Sequence, residues 1–125
     1  MKKAALLVAL SLAGCASAPD PALVQKSLAP LTCANKAECD LYWQRAQVWI
    51  AGHSAYKIQT ATEAIIQTFG PMGSSPDLAY QITRVPNADG SARIMMAASC
   101  DNIFGCSPTV DEARAAFKQY VKTGI

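Results

Sequence analysis

Five cysteines constrain this 125-residue chain more strongly than any other feature of its sequence. Cys33 and Cys39 lie six residues apart, and Cys100 and Cys106 repeat that spacing, so that Cys15 is left without a counterpart. Structural zinc sites usually take cysteine pairs separated by two to four residues, and no Cys-x-x-Cys redox motif occurs. The spacing therefore favours two disulfides over a metal site, provided that the chain reaches an oxidising compartment.

The N-terminal residues 1–14 have the three-part layout of a secretory signal peptide. Lys2 and Lys3 supply a positive start, an apolar run covers residues 4–12, and small residues precede Cys15. The run is too short to cross a bilayer as a helix, which takes about 20 residues. A buried N-terminal helix is the alternative, but the lysines and the abrupt small-residue stop contribute nothing to a core. We therefore expect export.

The residues around the expected cleavage point, Leu12-Ala13-Gly14-Cys15, resemble the lipobox of bacterial lipoproteins at all four positions. The resemblance implies that the sulfur of Cys15 receives a diacylglycerol, because lipid transfer requires a thiol as the nucleophile. It also implies that a lipoprotein signal peptidase cuts between Gly14 and Cys15, and that the new amine is acylated. An ordinary signal peptide would leave an odd cysteine, whereas lipidation leaves four.

Acyl chains on Cys15 would hold the protein on a membrane without a spanning helix. Each buried methylene contributes roughly 0.8 kcal/mol, so that one chain binds marginally and two or more bind stably. Ala16 rather than Asp follows the cysteine, which by resemblance to the enterobacterial sorting pattern implies the outer membrane. We expect membrane lipid as one partner and a domain that faces the periplasm.

Residues 15–32 are predicted to be the lipidated N-terminus and a flexible tether. Pro19, Pro21 and Pro30 interrupt a segment that has no sustained hydrophobic period, and proline blocks helix continuation. The segment would span about 23 Å as a loose coil and roughly 50 Å fully extended. Residues 22–28 could form one or two helical turns, although little in the sequence favours them.

Residues 33–125 are predicted to form one small α+β domain with the order α-β-β-β-β-α. The first helix begins at Asn35 and Glu38, which form a capping box, and it is expected to run to about Ala51 and to end at Gly52. Its apolar stripe should face the core. The residues on that stripe are Cys39, Tyr42, Trp43, Ala46, Trp49, Ile50 and His53.

Four strands and a last helix complete the predicted domain. Thr109 and Glu112 cap the helix, and residues 60–63 form either a turn or the continuation of one strand. Short links favour an antiparallel sheet with both helices on one face. Alternating apolar side chains predict strands over residues 56–60, 64–69, 78–83 and 92–99.

Three pairings of the four remaining cysteines exist, and two of them stay open. Local pairing, Cys33 with Cys39 and Cys100 with Cys106, agrees with the equal spacing and would staple the start of the first helix. Nested pairing of Cys39 with Cys100 would place a disulfide in the core. Loop entropy favours the nested scheme, at about 4.3 kcal/mol for a long loop against about 2.4 for a short ring.

Charge and composition exclude two classes of protein. Lys and Arg number 11 and Asp and Glu 9, and loss of Lys2 and Lys3 with the leader leaves nine of each sign. A domain without net charge lacks the basic surface that a nucleic-acid backbone requires. Charged residues make up 16 % and hydrophobic residues 51 %, which excludes a disordered chain.

No catalytic constellation can be recognised, so that we expect no enzyme activity, no metal and no cofactor. His53 is the only histidine, and just past a helix end it is more typical of a partner for the helix dipole than of a general base. Ser54 is too close in sequence to form a triad with it. The glycine-rich residues 70–75 lack the Lys-Ser or Lys-Thr of a phosphate-binding loop.

The remaining candidate is a binding surface. Ile103 and Phe104 lie between Cys100 and Cys106, and a rigid loop that displays them would be a small apolar anchor for an envelope protein. The sequence favours the alternative that Phe104 packs beneath its own loop, because large apolar side chains are usually buried. We expect a lipid-anchored structural or protein-interaction module; the alternative is a small-ligand binding protein or hydrolase with a cleft between helices and sheet.

Overall fold

The computed structural model of the protein describes residues 18–125, which form three helices and one five-stranded antiparallel sheet. The α+β class and the antiparallel sheet are confirmed, with one helix and one strand more than predicted. None of the helices in this range is long and apolar enough to cross a membrane. The elements are α1 (Pro21–Leu28), β1 (Leu31–Cys33), α2 (Lys36–His53), β2 (Ile58–Ala61), β3 (Ile65–Thr68), β4 (Ala79–Pro86), β5 (Ala92–Ser99) and α3 (Val110–Thr123).

The strands lie in the order β1-β5-β4-β3-β2, and every neighbouring pair is antiparallel. The strands predicted over residues 78–83 and 92–99 correspond to β4 and β5, which pair as an antiparallel hairpin. Residues 62–64 make a turn between β2 and β3, because the Thr62 hydroxyl accepts from the amides of Ala64 at 3.2 Å and Ile65 at 3.1 Å. The open question about residues 60–63 is thereby answered in favour of two strands.

One face of the sheet carries the core, and α2 and α3 pack against it. Side chains alternate along β5, where Ile94 and Met96 are buried while Arg93 and Met95 are exposed. Burial of large apolar side chains is the main stabilising contribution to such a core, about 1.5–3 kcal/mol for each. Both tryptophans are buried, as expected, together with Ile50, Ile66, Ile82, Phe117 and Val121.

The tether predicted over residues 15–32 is wrong for the part that the structure describes, because α1 and β1 lie there. Asp20 caps α1, its carboxylate accepting from the Ala22 amide at 3.0 Å, and Pro21 occupies the first helical position. Proline is favourable there because its missing N–H would have no helical partner. Pro30 follows the end of the helix. Pro21 and Pro30, which were expected to break helices, therefore mark the start and the end of α1.

Polar contacts attach α1 to α3. Ser27 is fully buried, and its hydroxyl donates to Asp111 Oδ1 at 2.5 Å and accepts from Arg114 Nη1 at 3.2 Å. The ammonium of Lys118 donates to the carbonyl oxygens of Ser27 and Ala29 at the end of α1. Burial lowers the pKa of Lys118. Such contacts leave no hydrophobic period in the sequence, which is why the helical turns considered for residues 22–28 had little support.

The predicted start of α2 is confirmed and its predicted end is wrong. Asn35 Oδ1 accepts from the Glu38 amide at 2.9 Å, while the Glu38 carboxylate accepts from the Ala34 amide, one residue before the expected partner. The helix continues through Gly52 to His53. Packing of the His53 ring on the preceding turn accounts for the extension.

The two disulfides join Cys33 to Cys39 and Cys100 to Cys106, which is the local scheme. The first connects β1 to the first turns of α2, and both of its cysteines are buried. The second closes a loop after β5 (the Cys100–Cys106 loop). The nested scheme is not formed, although Cys39 does face inward.

Candidate functional site

The Cys100–Cys106 loop exposes two adjacent apolar side chains. Ile103 and Phe104 are each 93 % accessible to solvent, and they follow one another in the chain. The preferred expectation, that Phe104 packs beneath its own loop, is therefore wrong. Large apolar side chains that are this exposed in the middle of a chain mark candidate contact surfaces.

Hydrogen bonds hold the loop that carries these side chains. Asn102 Nδ2 donates to the Ser74 carbonyl at 2.7 Å, and Asn102 Oδ1 accepts from the Phe104 amide at 2.9 Å. The Asp101 carboxylate accepts from the Ser74 amide at 3.2 Å. The loop is therefore fixed both by its disulfide and by the neighbouring turn, and a fixed loop loses less conformational entropy on binding.

A cavity of about 290 Å³ lies where the end of α2, strand β4 and the start of α3 meet. Trp49, His53 and Tyr80 form aromatic walls, and Pro108 and the first turns of α3, with Glu112, complete the lining. This is a cleft between helices and sheet, the position that the alternative function requires. It is the second candidate site of the molecule.

His53 is fixed against the last turn of α2. Its Nδ1 lies 2.8 Å from the carbonyl oxygen of Trp49, and because a carbonyl only accepts, Nδ1 carries the proton and donates. The imidazole stacks on the Trp49 indole, with ring centroids 4.2 Å apart and planes 7° from parallel. The contact with the helix end agrees with the expected role, and the ring also serves as a cavity wall.

Tyr80 and Trp49 are buried walls of the cavity, and each is only 4 % exposed. Neither the Tyr80 hydroxyl nor the Trp49 indole N–H is a fully buried group left without a partner; among the described residues that group is Arg84 Nη1. The other tryptophan, Trp43, donates from Nε1 to the Thr62 carbonyl at 2.8 Å. Burial raises the pKa of Tyr80, which keeps its hydroxyl protonated.

A third cluster of polar side chains connects α2 to β4. Asp40 accepts from Lys36 Nζ at 2.6 Å and from Arg84 Nη2 at 2.9 Å, and Arg84 Nη1 lies 3.9 Å from Glu63 Oε2. Hydrogen bonds from Lys36 and then from Arg84 lower the pKa of Asp40. The opposite charges largely neutralise one another, but Arg84 Nη1 is buried and has no hydrogen-bond partner among the described residues.

Tyr80 and Glu112 were predicted as parts of the fold and not of a site. Sheet register pairs Tyr80 with Ala98 on the inner face, and helix packing brings Trp49 to it. No sequence spacing predicts such a contact. The signal that could have found it is a tyrosine on the inner face of an apolar strand, because its hydroxyl requires a partner.

The other predicted site residues fall in separate places. Gly14 and Cys15, the cleavage and lipidation positions, lie outside the described residues. From residue 18 onward, no group of three or more His, Cys, Asp or Glu side chains is arranged to hold a metal ion. Comparison with known protein families, with curated proteins and with solved structures finds no match to this chain.

Proposed function

We propose that this protein is a lipid-anchored module of the bacterial cell envelope that binds a protein partner through the Cys100–Cys106 loop, on the periplasmic side of the outer membrane. The observation that carries the proposal is the 93 % exposure of both Ile103 and Phe104 in a disulfide-closed loop. Moving each side chain from water into an apolar pocket yields about 1.5–3 kcal/mol. That gain is the driving force for binding.

The anchor half of the proposal is supported by residues 12–15, whose pattern resembles a lipobox. Acyl chains on Cys15 would confine the domain to a thin layer next to the membrane. Confinement raises the effective concentration of any partner held in the same layer, so that a small contact surface suffices. A two-residue apolar anchor agrees with an interface at the low end of the usual size range.

The surroundings of the loop restrict the chemistry of the partner. Asp101 is the charged residue next to the exposed pair, and its carboxylate already accepts from Ser74. The partner should therefore offer an apolar pocket for Phe104 and Ile103 without an acidic rim. We expect this pocket in a protein of the envelope.

The anchor is tested with the Cys15→Ser variant, expressed in a bacterium that processes lipoproteins. We expect the unaltered protein to carry acyl groups by intact-mass analysis and to sediment with outer membranes. The variant should lack the acyl mass and leave the membrane fraction. An unaltered protein without acyl groups, or one that still begins at Met1, would contradict the proposal.

The loop is tested by placing a photo-crosslinking amino acid at position 104 of the anchored protein. A matched control carries the same group at position 41, an exposed position of α2. We expect one reproducible protein adduct from position 104 and none from position 41, and Ile103→Ser should weaken the adduct. Equal adducts from both positions, or none from either, would refute a role for the loop.

A further inference from the structure

We propose that the free edge of strand β5, over residues 95–99, binds an extended acidic segment of another protein as an additional strand of the sheet. Strand β1 covers only the first part of β5, because its register ends where Leu31 pairs with Ile94. From Met95 to Ser99, β5 pairs with β4 alone among the described residues. This edge leads into the Cys100–Cys106 loop but is separate from it, and the inference depends on neither the loop nor the anchor.

Main-chain groups along this edge are available for pairing. In an antiparallel sheet, alternate residues of a strand direct both N–H and C=O toward the same neighbour. Every second residue of 95–99 therefore directs these groups away from β4, and no turn or loop of the described chain pairs with them. Neither proline nor a charged side chain, the usual means of blocking an edge, occurs over residues 95–99. Such an edge is a template for an added strand, whose main-chain hydrogen bonds provide the affinity.

A cavity of about 390 Å³ lies along the start of this edge. Its lining includes the four consecutive residues 93–96 of β5, whose side chains alternate between the two faces of the sheet. A space that touches both faces lies at the edge of the strand and not over one face. Leu28 and Pro30 at the end of α1 form another wall, and Arg114 and Lys118 on α3 complete the lining. The cavity is therefore space that an added strand can fill.

Positive charge in the lining favours an acidic occupant. Arg93, Arg114 and Lys118 line the cavity, and no acidic side chain of the described residues does. Of the three, only Arg114 has a carboxylate of residues 18–125 within 4 Å, that of Asp111 at 3.8 Å. Burial, and then the charges of Arg114 and Lys122, lower the pKa of Lys118. A carboxylate on the bound segment would offset this repulsion between cations.

The same charges argue against the chain itself as the occupant. Residues 1–17 contain two lysines and no acidic residue. The five strands contain no acidic residue either, so that a second copy pairing through the edge of its own sheet would bring no carboxylate from that strand. Because strand side chains alternate between faces, the segment should place acidic side chains toward α3 and apolar ones toward the exposed Met95.

The test titrates the acetylated and amidated peptide Val-Glu-Val-Glu-Val into the full chain while NMR follows the backbone amides. We expect the amides of residues 95–99 to shift and saturate, and those of β2, the opposite edge of the sheet, to stay in place. Val-Lys-Val-Lys-Val should bind at least about tenfold more weakly. Equal shifts at both edges, equal affinity of the two peptides, or the same shifts on raising the protein concentration without peptide would overturn the proposal.

Methylated peptides distinguish an added strand from other modes of binding. An added strand directs its amides alternately toward β5 and away from it, so that methylation of either the valine or the glutamate nitrogens should abolish binding while the other pattern changes affinity by no more than about twofold. Arg93→Gln should weaken binding about threefold, whereas the matched change Lys57→Gln, at an exposed position next to β2, should not. Equal effects of the two methylation patterns, or of the two substitutions, would contradict the assignment.

Discussion

At Gly70 a single missing β-carbon permits two chain segments to approach closely. The backbone there has a φ of +81°, and a β-carbon would lie 2.9 Å from Cε2 of Tyr56. The Tyr56 hydroxyl in turn lies 3.3 Å from both the amide nitrogen and the carbonyl oxygen of Met72. The tyrosine ring thus covers the turn after β3, and glycine is required beneath it.

We expect Gly70→Ala to lower the free energy of unfolding by about 2–4 kcal/mol, from the left-handed backbone and the collision with the ring together. Gly73→Ala is the matched control, because Gly73 has a φ of +71° but no atom within 4 Å of the added carbon. The control should lose only about 1–2 kcal/mol. Urea denaturation measures both, and equal losses would show that the ring contact contributes nothing.

Asp40 is the residue at which we expect acid to weaken the fold. Hydrogen bonds from Lys36 and Arg84 hold the pKa of Asp40 below its ordinary value of 3.8. A carboxyl with a lowered pKa in the folded state stabilises the protein above the unfolded value, and the contribution disappears as pH falls through the folded value. The stabilisation should therefore be complete at neutral pH.

We expect Asp40→Asn to be less stable than the unaltered chain at about pH 7 and equally stable once the pH has fallen through the lowered pKa of Asp40. Lys36→Met should reduce this pH-dependent difference in stability, because the hydrogen bond from Lys36 is the largest cause of the lowered pKa of Asp40. Urea denaturation at several pH values gives the measurement. A difference that is independent of pH would exclude the ion pair as its source.

Among the elements, α1 depends most on a single side chain. Ser27 lies in the polar contact with Asp111 and Arg114 on α3, and it is the buried residue of α1. Removal of its hydroxyl leaves both partners without their contact to α1. An eight-residue helix is too short to be stable without tertiary contacts, so that its order depends on this attachment.

We expect Ser27→Ala to destabilise the docking of α1 by about 1–3 kcal/mol and to leave the sheet intact. Amide hydrogen exchange should accelerate at Val24 and Ala29, whose N–H groups bond within the helix and at its end. Amides of β4 and β5 should exchange as before. Gln25→Ala, an exposed substitution on the same helix, is the control, and equal acceleration in both variants would contradict the role of Ser27.

The elements that could be predicted share a local signal. The hairpin of β4 and β5 alternates apolar and polar side chains, and α3 begins with a complete capping box at Thr109 and Glu112. By contrast, α1 is held by Ser27, and β1 is a three-residue edge strand that pairs with β5. Contacts between residues 59 or more positions apart leave no pattern within either segment.

The candidate sites of the whole molecule were predictable to different degrees. The exposed pair Ile103 and Phe104 was identified because two cysteines flank it, but its exposure depends on how the loop rests on Ser74. For the cavity, the sequence predicts only a cleft between helices and sheet and does not show which residues line it. Its walls come from three elements that are distant in sequence, so that the meeting of Trp49 and Tyr80 exists only in the folded chain.

Because α1 packs against the domain, the segment between the proposed lipidation site and the folded residues is short. If Cys15 is acylated as proposed, only the five residues 16–20 separate it from the first residue of α1. The six residue spacings from Cys15 to Pro21 extend at most about 20 Å. The acylated protein would therefore hold its domain close to the bilayer surface. On the same proposal, a protein that binds the Cys100–Cys106 loop must itself come within a few nanometres of the lipid headgroups.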